Sequence, residues 1–130
     1  MTGEQTTVEA VAAPGAPAPF GHYSPATVSP DGTIWVSAQL PVGGDGVDAA
    51  SQARQALHNV VTIVEAAGGT VASVLKVTLY VVDIDDWRAV DAAFAEVFGE
   101  HRPARAVIQV AGLHHGFRVS ADAIGWKGLR

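Results

Sequence analysis

The stretch RPARAVIQV, Arg102–Val110, sets a permanently charged guanidinium at the head of a strand that runs on through Ala106, Val107 and Ile108. A guanidinium taken out of water without a partner costs several kcal/mol, so either this strand end is open or an anion meets Arg105 there. One anion lies within the chain. Asp91 stands at helical spacing in the row Trp87, Asp91, Phe94, Phe98, where it interrupts an apolar stripe instead of facing water. It has two readings: an ion pair with Arg105, or a reach to a subunit boundary to take backbone N–H groups. The second is the expectation. His114 and His115 are adjacent, so on an extended chain they point apart, and no HxxxH or HExxH spacing occurs; a metal site is not expected. The absence of Cys removes thiolate nucleophiles and thiolate ligands. GGDG at 43–46 lacks the spacing of a phosphate loop and reads as a plain loop.

Those residues need elements to hold them. VAAPGAPAPFG is rich in Ala, Pro and Gly, so residues 1–19 are expected to be an extended or mobile arm, and residues 20–130 a single domain. Turn chemistry in SPDG, Ser29–Gly32, joins SPATV to TIWVSAQL as a hairpin. In its second strand Ile34, Val36, Ala38 and Leu40 are expected on one face, with Trp35, Ser37 and Gln39 on the other. A helix follows, capped by Asp48, with the stripe Ala53, Ala56, Leu57, Val60, Val61, Val64, Ala67 and a stop at Gly68–Gly69. After the β-branched strand SVLKVTLYVV, Asp85 is expected to cap a second helix carrying Trp87, Val90, Phe94, Val97 and Phe98. Two strands, 105–111 and about 117–125, complete the chain. His58 and His101 read as solvated.

The order β-β-α-β-α-β-β makes an α+β domain with one sheet and two helices, which can cover only one sheet face. The other face would carry Trp35, Tyr80 and Val107 with Ser37, Gln39 and Gln109, too apolar for water and too polar for a dry core. A second copy is the natural cover, with clefts between chains. Composition agrees, because only 16% of residues are charged against 48% hydrophobic. The net charge of −5, with no Lys/Arg cluster, argues against a nucleic-acid partner. No apolar run reaches membrane-spanning length, and MTGEQTTVEA lacks the basic start and apolar core of a secretion signal. No membrane partner and a cytoplasmic location are the expectations.

The stretches GHYSPA, VSAQLP, QARQALHNVVTIVEAAGG, VLKVTLYVVDIDDW, VFGEHRPARAVIQVAGL and VSADAIG follow one another in unbroken order over about residues 16–125. Together they resemble the RidA/YjgF family of small trimeric enamine/imine deaminases. The resemblance implies a chorismate-mutase-like fold with one mixed sheet and two helices on one face. It also implies a homotrimer with three intersubunit clefts, and neither organic cofactor nor metal. Arg105 would clamp the carboxylate of a 2-imino or 2-enamino acid, which its paired N–H donors match bidentately. Ala106 and Val107 would line the same site. Tyr23 matches the family's aromatic pocket wall. Ser37, Ala38 and Gln39 match a Ser-Gly-Gln pattern, and the methyl of Ala38 would narrow the pocket.

Two departures bear on chemistry. The family usually has Asn where this chain has Asp91. Ser120 stands where the deaminases carry the Glu that holds the attacking water and moves a proton to the departing amine. A hydroxyl orients water but is no acid or base near neutral pH. Asp122 points to the same face about two residues on, roughly 6.6 Å away, and His114 stands at the cleft rim as another replacement proton carrier. The expected activity is hydrolysis of reactive 2-imino acids to 2-keto acids and ammonia. The alternative is a catalytically weak or inactive binder of small carboxylates. Ribonuclease activity, known for some relatives, sits poorly with the acidic charge.

Overall fold

The computed structural model describes residues 7–128. It contains strands β1 (Glu9–Val11), β2 (Ala26–Val28) and β3 (Thr33–Gln39), helix α1 (Ala49–Ala66), strand β4 (Val74–Val81), helix α2 (Trp87–Phe98), and strands β5 (Ala104–Gln109) and β6 (Val119–Trp126). The strands form one mixed sheet in the order β1-β2-β3-β6-β4-β5. All neighbours are antiparallel except β4 and β5, which α2 joins as a parallel crossover. This is the expected α+β architecture, with one addition. Part of the presumed arm is ordered: β1 pairs with β2 at the sheet edge and buries Val11. Residues 1–6 of that arm lie outside the described residues.

Local chemistry explains the element ends. In the β2–β3 turn the Asp31 carboxylate accepts from Ser29 Oγ at 2.7 Å and from the Thr33 N–H at 3.0 Å. Gly32 supplies the positive φ of 92° that the turn requires. Asp48 caps α1 as expected, accepting from the Ser51 N–H at 2.7 Å. Of the stripe, Ala53, Ala56, Leu57, Val60 and Val64 are buried, while Val61 is only partly so. Asp85 is not a cap. It lies in a 3₁₀ turn, Ile84–Asp86, that Asp83 caps by accepting the Asp85 N–H at 2.9 Å. Asp86, next in line for α2, is drawn instead into a two-oxygen bond with Arg118 at 2.8 Å on each oxygen.

The carboxyls of Asp31 and Asp48 are both held below the ordinary value, chiefly by the backbone N–H groups of Thr33 and Ser51. A carboxyl depressed by folding adds stability above its unfolded value near 3.8, and that stability is lost as pH falls through the lower folded value. The urea midpoint is therefore expected to fall as pH drops below about 4, and less steeply in an Asp31→Asn, Asp48→Asn variant. Parallel acid profiles would show that other groups set the acid limit.

Both helices pack on the face formed by Ile34 and Val36, Val77, Leu79 and Val81, and Val119, Ala121 and Ala123, all buried. The opposite face carries Trp35, Tyr80, Ser120, Asp122 and Ile108, with Trp35 and Ile108 nearly half exposed. Four residues change face. Val107 and Gln109 pair in parallel register with Leu79 and Val81, so they sit on the helix side with Arg105, which pairs with Val77. Gln39 changes for a different reason. Between Val36, which faces Ala123, and Gln39, which faces Ala121, one extra residue forms a bulge. Gln39 is turned to the buried face and Ala38 to the open one. The Gln39 amide then donates back to the carbonyls of Ser37 at 3.2 Å and Ala38 at 3.4 Å, pinning the bulge.

Candidate functional site

The open face of β3 and β6 carries a pocket walled by Tyr23, Ser37, Ala38, His114 and Ser120, with Phe20 and Leu113 at its rim. Five of the expected site residues thus meet in one chain. Each is fixed differently. Ser37 is held by a bond from Oγ to the Ser24 carbonyl at 2.7 Å, which ties the incoming loop to β3. The Tyr23 hydroxyl accepts the Phe20 N–H at 3.1 Å and so shapes the same loop. Ser120 is only 3% exposed, but it lines the pocket, and its hydroxyl makes no hydrogen bond with a side chain among the described residues. It is the pocket's one uncommitted hydroxyl at the sheet surface.

Beside it in register stands Tyr80, whose hydroxyl donates to Asp122 Oδ2 at 2.8 Å. Burial and the adjacent Asp122 both push the Tyr80 phenol up, so it stays a proton donor through the neutral range. Asp122 is thereby aimed along the sheet at Tyr80. The histidines differ from expectation. A short 3₁₀ turn, His114–Gly116, puts His115 at φ 61°, and the two rings stack 4.1 Å apart instead of diverging. Phe20 meets His115 edge-on at 5.4 Å, so the turn and the N-terminal loop meet beside the pocket.

Arg105 and its neighbours lie elsewhere. The guanidinium sits on the helix side of edge strand β5, 5.2 Å from the ring centre of Trp87 and 4.9 Å from that of Phe94. Its Nη1 donates to Asp91 Oδ1 at 2.6 Å. Of the two readings of Asp91, the ion pair with Arg105 is present within the chain. From Ser120 to Arg105 the path is roughly 10 Å across two strand spacings and about as far along the strand, ending on the opposite face. Within one chain the pocket and the guanidinium cannot hold the same small molecule. Ala106, paired with Thr78, faces the open side, and Val107 packs into the core beneath α2.

Two residues that sequence reasoning passed over also shape the pocket region. Asn59, buried on α1, donates to the carbonyls of Leu40 at 3.1 Å and Val42 at 3.0 Å and so fixes the chain leaving β3. Gln52 accepts the Arg118 N–H at 2.7 Å ahead of β6. Both are polar residues bordering an apolar stripe, which is the signal that would have marked them. His101 is not simply solvated either, since its Nε2 lies 2.7 Å from the Val74 carbonyl.

Residues 13–126 match the family described as Endoribonuclease L-PSP, which takes in almost every element above. The chain belongs to the RidA/YjgF family. A 2-iminobutanoate/2-iminopropanoate deaminase of Bos taurus is 41% identical over 118 residues, 87% of this chain and 85% of that protein. Among solved structures, the YjgF gene product of Escherichia coli superposes with a TM-score of 0.84 at 36% identity, covering 92% of this chain and 98% of its own. Escherichia coli TdcF with bound serine gives 0.83 at 30% identity over 91% and 98%. The RidA/YjgF assignment made on motifs therefore stands, and so does the fold class. No helix among the described residues is long and apolar enough to cross a membrane.

Proposed function

We propose that the protein is an enamine/imine deaminase that hydrolyses 2-imino acids, an imine and a water giving a 2-keto acid and ammonia, at sites completed between copies of the chain in a homotrimer. The observation that carries this reading is the division of the site. The pocket around Ser120 and the Arg105 clamp each have the chemistry for half of the reaction, and they lie on opposite faces of one sheet. A neighbouring copy laid on the open face brings the missing half and covers Trp35 and Ile108. The likeness to a named deaminase at 41% identity supports the same class.

An imine carbon is already electrophilic, so the site has three tasks: anchor the carboxylate, orient a water, and pass a proton to the departing nitrogen. Arg105 anchors. The free Ser120 hydroxyl orients water. No carboxylate of the pocket stands ready for the third task, because Asp122 is engaged by Tyr80. That observation favours, as the second reading, a binder of small carboxylates with slow turnover. No basic patch supports a nucleic-acid substrate, given the charge of −5.

The test is semicarbazone formation from enzymatically generated 2-iminopropanoate, with light scattering on the same sample. Suppression of the semicarbazone by micromolar protein and a trimer mass are expected. A monomer would sink the shared site. A trimer that binds 2-oxobutyrate without suppression would select the binder.

A further inference from the structure

Resting on the Arg105 clamp proposed above, we infer that Asp91 sets the charge preference of that site, selecting ligands that carry a cationic nitrogen next to their carboxylate over plain carboxylates. Arg105 has five N–H groups, and among the described residues only Nη1 is engaged, by one oxygen of Asp91. The two aromatic rings meet the guanidinium at 5.2 and 4.9 Å and hold its plane without using those donors. A ligand carboxylate therefore has a free edge on which to dock while Asp91 stays in place.

The two carboxylates then share one positive charge. Asp91 has a second oxygen, Oδ2, with no hydrogen bond among the described residues, and its side chain is 49% exposed, so its carboxylate is accessible beside the guanidinium. An atom bonded to the carbon next to the docked carboxylate falls within the roughly 4–6 Å over which a neighbouring charge is felt. An ammonium or protonated imine there meets Asp91 favourably. A ketone oxygen there does not, and the bare second anion is repelled. Asp91 is thus a specificity residue: it retains the protonated imino acid, whose carbon is the more electrophilic form, and favours release of the keto acid formed from it.

The experiment compares 2-aminobutyrate with 2-oxobutyrate, which share a skeleton and a carboxylate and differ in the charge at the second carbon. Calorimetry on the trimer at pH 7 and low salt should show the wild type favouring the amino acid. In Asp91→Asn, which keeps shape and removes charge, the ratio of the two affinities should move toward the keto acid on the order of tenfold, the scale of one half-exposed charge interaction. High salt should shrink the wild-type preference and leave that of the variant unchanged. An identical ratio in both proteins, with binding intact, overturns the role of Asp91 and leaves the clamp standing. Absence of binding by either ligand to either protein overturns the clamp itself and the inference with it.

Discussion

Replacing Ser120 with glutamate is expected to raise kcat/KM for 2-iminopropanoate by about 10²–10⁴-fold, the gain from a positioned acid/base. Ser120 lies on the pocket floor, opposite Tyr80 in the β4–β6 register, and its side chain points to the open face, where the pocket provides the space a longer side chain needs. Its surroundings also favour the right chemistry. Low exposure and the nearby Asp122 both disfavour a second anion, so a carboxyl placed there should titrate closer to neutrality than an exposed one, which suits a group that must give and take a proton. The gain should vanish in an Arg105→Ala background, because an unanchored substrate cannot present its carbon to the water. A flat response in the single variant, with the trimer intact and ligand bound, would mean that this chain does not use its pocket for hydrolysis.

Arg105→Ala is expected to weaken binding of 2-aminobutyrate and of 2-oxobutyrate by about 10²–10³-fold, the cost of removing a charge-assisted, two-pronged partner from a partly buried pair. Folding should survive. The carboxylate left behind at Asp91 is half exposed and can be solvated, and Arg105 lies on an edge strand, not in the central sheet. Arg105→Lys should recover only part of the affinity, since a lysine keeps the charge and loses the planar fork. Calorimetry paired with a thermal melt checks both claims. Wild-type affinity in Arg105→Ala at an unchanged melting temperature would remove Arg105 from the site.

What could be read ahead of the structure followed from local chemistry. Asp48 as a cap, the SPDG turn and the α1 stripe depend on residues three or four positions apart, and all three are present. What could not be read depended on partners far along the chain. Whether Val107 and Arg105 face the helices is decided by the parallel register of β5 on β4, which the apolar run AVI cannot express because it reads alike from either face. Asp85 does not cap α2 since the 3₁₀ turn shifts the start past it, and Asp86, next in line, is claimed by an arginine 32 positions away. The His114–His115 stack required a left-handed backbone at His115, which is uncommon for any residue but glycine and which the sequence does not signal. In the candidate site, Tyr23, Ser37, Ala38, His114 and Ser120 were legible as a group through the family motifs, whereas the separation of Arg105 from them was not.

The bulge after Val36 makes the wall of the pocket depend on chain length as much as on residue identity. Side chains alternate across a strand, so removing one residue between Val36 and Gln39 would abolish the bulge, keep Gln39 opposite Ala121 on the buried face, and leave one open-face residue where Ser37 and Ala38 now stand. The pocket would lose either the Ser37 hydroxyl, with its tie to the Ser24 carbonyl, or the methyl of Ala38, and the Gln39 amide would lose a carbonyl that it now binds. A single in-frame deletion could thus recast the ligand contacts of β3 without any substitution.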